Sequence, residues 1–126
     1  MRVLEGDQVL VRIFIGEADK WHHQPLATAL VERLRREGFA GATVIRAVEG
    51  FGARSVLHAA HILRLSEDLP LVIEVVDTAA QMEKLEPILD EMVPQGLVTL
   101  EEVHVLRYGP RKPPAGGDAS KRKKKR

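Results

Sequence analysis

A chain of 126 residues and 14.0 kDa, 44% hydrophobic, has the size of one domain with a single modest core. The absence of cysteine excludes disulfides, thiol nucleophiles, cysteine-ligated zinc and iron–sulfur clusters. The net charge of +1 conceals a division: residues 1–108 carry 11 Lys and Arg against 17 Asp and Glu, a net of −6, whereas residues 109–126 carry 8 against Asp118 alone, a net of +7.

The opening MRVLEGDQ lacks the apolar stretch of a signal peptide, and no run of about 18 apolar residues occurs, so the cytoplasm is the expected compartment. Gln8–Ile15 alternates Val9, Val11, Ile13 and Ile15 with Leu10, Arg12 and Phe14, which predicts a strand. Pro25 suits the first turn of a helix whose stripe is Leu26, Leu30 and Leu34 with Ala27 and Val31. Arg33, Arg35 and Arg36 favour the negative C-terminal end of that helix. Gly38 ends it, with Phe39 folding back in a Schellman-type cap.

Ala42–Glu49 reads as the second strand, broken by Gly50–Phe51–Gly52. Residues 53–62 have no clean period; a helical turn near Val56–His61 fits, followed by an extended Leu63–Leu65 and a turn at Ser66–Asp68. Pro70 opens a third main strand, Leu71–Val76, with Leu71, Ile73 and Val75 on one face. Thr78 and Gln81 fit a capping box for a second helix with the seam Met82, Leu85, Leu89 and Met92, and Pro87 predicts a bend around the carbonyl of Glu83. A last strand covers Leu97–Leu100 and Val103–Tyr108, with a bulge expected at Glu101–Glu102. GPRKPPAGGDASKRKKKR, residues 109–126, has no large apolar residue and is expected to be a disordered basic tail.

The order β-α-β, loop, β-α-β predicts an α+β ferredoxin-like βαββαβ sandwich over residues 1–108, a four-stranded antiparallel sheet with two helices on one face. Leu10, Phe14, Val72 and Val76 then occupy the opposite face, too many large apolar groups for an open sheet unless copies of the chain associate. The alternative is a strand register displaced by one residue.

Three stretches carry a family resemblance: GEADKWHHQPL at 16–26, GATVIRAVEGFG at 41–52 and LRLSEDLPLVIEVVD at 63–77. Together they resemble the bacterial and archaeal family catalogued as domain of unknown function 190, over about Gly6 to Tyr108. That family is similar to the PII nitrogen-signalling proteins, and the resemblance implies a PII-like trimer, with some members found near or fused to fluoride-export channel proteins. Gly41–Ala42–Thr43–Val44, Gly50–Phe51–Gly52 and Leu69–Pro70 with Val72–Val76 match PII strands and the opening of its signalling loop. The glycine-rich phosphate turn of PII has no counterpart: the stretch reads Gly96–Leu97–Val98–Thr99–Leu100–Glu101–Glu102, whose two acids repel phosphate. The resemblance therefore implies the fold and not ATP binding in the PII manner, and it leaves any cofactor unidentified.

Candidate ligand-binding residues are Gly50, Phe51, Gly52 and Arg54, with Lys20 and Trp21 bordering them. The glycines allow close backbone approach to a ligand or simply end a strand, and Arg54 suits a phosphate or carboxylate. Trp21 either stacks a ligand or neighbouring subunit, or roofs the core. His58 and His61 share a face of a helical loop and form a candidate metal pair lacking an evident third ligand. No G-x-S-x-G, P-loop or H-E-x-x-H motif occurs, so catalysis is not expected. Glu74 reads as a partner for Arg12 or Arg46 across the sheet.

The expected function is that of a trimeric regulatory module taking a small ligand between subunits and acting on a membrane transporter or channel. The alternative is a trimeric divalent-metal protein resembling the copper-tolerance relatives of PII. The Lys121–Arg126 run is expected to make weak, non-specific contact with nucleic acid or anionic lipid, to fold back on the acidic body, or to be a solvated tail.

Overall fold

The structure, a computed structural model, describes residues 2–51 and 68–110. The chain order is β1 (Leu4–Gly16), β2 (Lys20–Trp21), β3 (Gln24–Pro25), α1 (Leu26–Arg36), β4 (Thr43–Arg46), β5 (Pro70–Asp77), α2 (Ala79–Met82), α3 (Leu85–Met92) and β6 (Leu97–Tyr108). The main sheet runs β4-β5-β1-β6 and every pairing is antiparallel. This is the ferredoxin-like order expected from the alternating pattern, with two central strands and two edges.

One core lies between the sheet and the helices. Val11, Ile13, Ile15, Leu71, Ile73 and Val75 meet Leu26, Leu30 and Leu34 of α1 and Leu85, Ile88 and Met92 of α3. Both long helices therefore pack on one face. Leu30, Ile13, Ile73 and Val75 are fully buried, and truncating such a side chain to Ala costs about 2–5 kcal/mol.

The local signals act as expected in most places. Gly38 adopts φ +88°, its N–H reaches Arg35 O at 3.1 Å, and Phe39 N–H reaches Leu34 O at 3.1 Å, the two bonds of a Schellman cap. Pro25 stands one residue earlier than expected: it precedes α1 and pairs with Lys20 in a two-residue ladder. Thr78 accepts the Gln81 N–H at 3.0 Å, but the Gln81 side chain reaches Glu37 O instead of closing the capping box. The Pro87 signal separates α2 from α3 at Glu83–Lys84, because proline supplies no N–H to the Glu83 carbonyl.

Two strand expectations need correction. β4 spans only Thr43–Arg46, not Ala42–Glu49. β6 runs unbroken through Glu101–Glu102; the register shift lies where Leu4 faces Tyr108 and Gly6 faces Val105. On the face away from the helices, Leu10 pairs with Val76 and Phe14 with Val72, which excludes the one-residue slip. Arg12 sits between them, bonded to Glu74 at 2.9 Å and Glu101 at 2.7 Å, so one cation ties β5 to β6 across β1. The helical turn at Val56–His61, the extended Leu63–Leu65, most of the turn at Ser66–Asp68 and the tail beyond Pro110 lie outside the described residues.

Candidate functional site

An open cleft of about 460 Å³ lies where β4, β5 and the ends of β1 and β6 converge. Its walls are Leu4, Val76, Val105, Ala40 and Ala42; its polar groups come from Thr43, Glu74, Arg107 and Tyr108. Thr43 and Glu74 are direct cross-strand partners, so their side chains share the face away from the helices. Glu74 is already held by Arg12. Arg107 forms no ion pair among the described residues, which leaves its charge uncompensated at the rim.

The connection from α1 into β4 forms one lip of the cleft, and side chains from elsewhere in the chain fix it. Glu37 O accepts Gln81 Nε2 at 2.9 Å, and Gly38 O accepts an Arg2 N–H at 3.2 Å. Ala40 N–H donates to Asp77 Oδ2 at 2.8 Å, and Ala40 O accepts the Tyr108 hydroxyl. A Cβ on Gly41 would stand 3.4 Å from that hydroxyl, so the lip has little room for a larger residue.

Asp77 is fully buried. One carboxylate oxygen takes Arg2 and Ala40 N–H; the other takes Thr78 N–H at 2.8 Å. Burial pushes this carboxyl up, but the Arg2 hydrogen bond, the Ala40 and Thr78 N–H groups and the Arg2 charge together outweigh it and hold Asp77 below its ordinary value. A carboxylate is suited to this position because it accepts from several donors at once.

Of the residues singled out from sequence, Lys20, Trp21, Gly50 and Phe51 are described, and none of the four lines this cleft. Lys20 and Trp21 form β2, whose two-residue turn to β3 holds His22 and His23 at φ 46° and 73°. Trp21 packs against the core while His22 stacks on its ring at 4.2 Å and 16°, so the indole acts as a roof. Gly50 and Phe51 follow β4, with Phe51 exposed. Gly52, Arg54, His58 and His61 lie outside the described residues. Among the described residues no cluster of three His, Asp or Glu side chains is placed to hold a metal. Glu74 pairs with Arg12, as anticipated, while Arg46 pairs with Glu17 at 3.1 Å. Arg107 and Tyr108 were not singled out: in the sequence they are only the end of an alternating strand.

Among the described residues β6 is an edge of the sheet with no neighbour on its outer side. Leu97, Leu100 and Leu106 on it are 57%, 65% and 83% exposed, an unprotected edge of the kind that pairs with other chains. Among the described residues no helix is long and apolar enough to cross a membrane.

Comparison with known proteins places this geometry in a lineage. Residues 8–105 match the family DUF190, described as "Uncharacterized ACR". A UPF0166 protein of Aquifex aeolicus (strain VF5) is 35% identical over 108 residues, covering 84% of this chain and 98% of that protein. The fold is similar to that of CPII, a nitrogen regulatory PII-like protein from Thiomonas intermedia K12 solved with ADP, AMP and bicarbonate: TM-score 0.56, 13% identity, 88% of this chain and 100% of that one. It is also similar to CutA from Synechococcus elongatus PCC7942, with TM-score 0.51, 11% identity and 85% coverage of each chain. At these identities the two structures establish a common PII-like ferredoxin fold.

Proposed function

The chain belongs to the DUF190 family, and from that premise we propose that it is a PII-like regulatory protein rather than an enzyme. It acts as a homotrimer that takes a small organic anion in the Thr43–Glu74–Arg107 cleft and transmits its state to a membrane transporter or channel. The observation that carries this reading is the composition of the cleft. Apolar walls accept a flat or aliphatic body, the Thr43 hydroxyl and Glu74 orient it, and Arg107 supplies the one uncompensated charge. Glu74 is drawn to the other side by Arg12, which it shares with Glu101, so Arg107 remains the cation that the cleft offers.

The trimer is supported by the free β6 edge. Val105, Arg107 and Tyr108 lie at its end and also line the cleft, so a neighbouring subunit laid along β6 closes a cavity that is open in the single chain. Unlike-surface pairing of this type closes into a ring when the rotation permits. The nucleotides bound by CPII make ADP and AMP the first probes to try.

The test is isothermal titration and thermal shift with ADP, AMP and a panel of other organic anions, alongside copper and zinc, and a native mass measurement. Saturable anion binding that weakens about tenfold in Arg107→Ala supports the cleft reading, the expected loss for a charge-assisted contact. Metal binding without anion binding favours the alternative, and a monomer at micromolar concentration overturns the trimer.

A further inference from the structure

We infer that Asp77 and Tyr108 are positioning residues that set the shape of the cleft by clamping Ala40 from both sides of its peptide groups. Over Glu37–Ala40, four backbone polar groups are held by side chains from outside the connection: Glu37 O by Gln81, Gly38 O by Arg2, Ala40 N–H by Asp77 and Ala40 O by Tyr108. These tethers come from the N-terminus, the end of β5, α2 and the end of β6. They are separated in sequence from their targets by 36 to 68 residues. Ala40, Gly41, Ala42 and Thr43 all line the cleft. Fixing Ala40 therefore fixes the lip Ala40–Ala42 against the Thr43–Glu74 pair, which the β4–β5 register holds.

Burial makes Asp77 a specific device. A fully buried carboxylate is costly unless it is paired and hydrogen-bonded, and here three donors, Arg2, Ala40 and Thr78, hold it. An apolar residue at this position would pack the end of β5 without holding the lip. Tyr108 completes the clamp from β6, the same edge that the proposed neighbouring subunit covers. Assembly at β6 and the shape of the cleft are thereby linked through one hydroxyl.

The proposal rests on the cleft reading, and its test separates the two. Asp77→Asn and Tyr108→Phe are examined by residue-resolved amide hydrogen exchange and by ADP titration. Exchange at Ala40–Thr43 is expected to accelerate about 5- to 30-fold, the effect of losing one or two hydrogen bonds, while the amides of Ile13, Ile73 and Val75 hold their rates relative to global unfolding. ADP binding is expected to weaken by a similar factor in each variant and little further in the double variant, because both act on one element. Acceleration spread evenly over the core, or none at Ala40–Thr43, overturns the clamp. If Asp77→Asn does not fold, Tyr108→Phe alone decides, since it removes one exposed-side hydrogen bond. If ADP fails to bind the wild-type chain, the cleft reading falls and the exchange pattern still decides whether the clamp holds the lip.

Discussion

Replacing Arg2 by Ala removes the counter-charge of Asp77 and leaves its carboxylate with two backbone N–H groups. Breaking a fully buried pair costs about 3–5 kcal/mol. Here Asp77 is 0% exposed but the Arg2 side chain is 38% exposed, so water replaces part of the lost interaction and the loss falls to about 1–3 kcal/mol. For an ordered body of this size each kcal/mol corresponds to about 4–8 °C, so Tm should drop by roughly 5–20 °C at neutral pH. The pH dependence gives the sharper test. Because Asp77 in the folded chain lies below its ordinary value of 3.8, its stabilisation is complete above that value and is lost as pH falls through the lower folded one. Without Arg2 the carboxyl is higher, so the variant has less to lose and the gap between the two melting curves closes as the medium is acidified. Circular-dichroism melts from about pH 7 to about pH 3 measure this. A gap that stays constant across that range would refute the Arg2–Asp77 account, as would a neutral-pH Tm equal to the wild type.

The remaining predictions concern the edge strand, a turn and the core. Leu106→Glu, at an 83% exposed site, should change the stability of the single chain by no more than about 0.5 kcal/mol yet dissociate the proposed trimer in sedimentation velocity; a trimer left unchanged would remove β6 from the interface. Gly109→Ala should cost about 1–3 kcal/mol, because Gly109 has φ +108° and an added Cβ would meet Arg2 O at 2.6 Å; a chemical-denaturation midpoint equal to wild type would contradict that crowding. Leu30→Ala should cost about 2–5 kcal/mol by the same assay, since Leu30 is fully buried between the helix and the sheet.

What the sequence disclosed followed from periodicity and local chemistry. Val11, Ile13 and Ile15 alternate, Leu26, Leu30 and Leu34 repeat at helical spacing, and Gly38 and Pro87 act through their own backbone constraints, so these elements stand where expected. β4 came out short because its length depends on what β5 offers it: beyond Arg46 a single bond, Ala47 N–H to Pro70 O, continues the contact. The cleft was hidden for a related reason. Its residues are brought together by strand register from positions as distant as Leu4, Thr43, Glu74 and Tyr108, and no local spacing signals that. Asp77 carries no local signal beside the Thr78 cap, and only the folded chain shows that its carboxylate serves the far lip of a cleft. The signals at Lys20, Trp21, Gly50 and Phe51 drew attention to segments that the cleft does not use.

The charge division along the chain bears on what the cleft can admit. Within the body, Asp77 is matched by Arg2 and Glu74 shares Arg12 with Glu101, so Arg107 is the cleft cation without an ion pair among the described residues, although residues 1–108 carry a net −6. A small anion reaches Arg107 at short range, where the excess negative charge elsewhere is screened over a Debye length of about 8 Å at physiological salt. A polyanion cannot do so, because it must also lie against the acidic surface. The expectation of contact with nucleic acid or anionic lipid therefore rests on the 8 Lys and Arg of residues 109–126. Truncation after Pro110 should abolish salt-sensitive retention on heparin and on anionic vesicles while leaving ADP affinity and oligomeric mass unchanged. Retention that survives truncation would place the polyanion contact on the body, and ADP binding lost with the tail would mean that residues 111–126 contribute to the cleft.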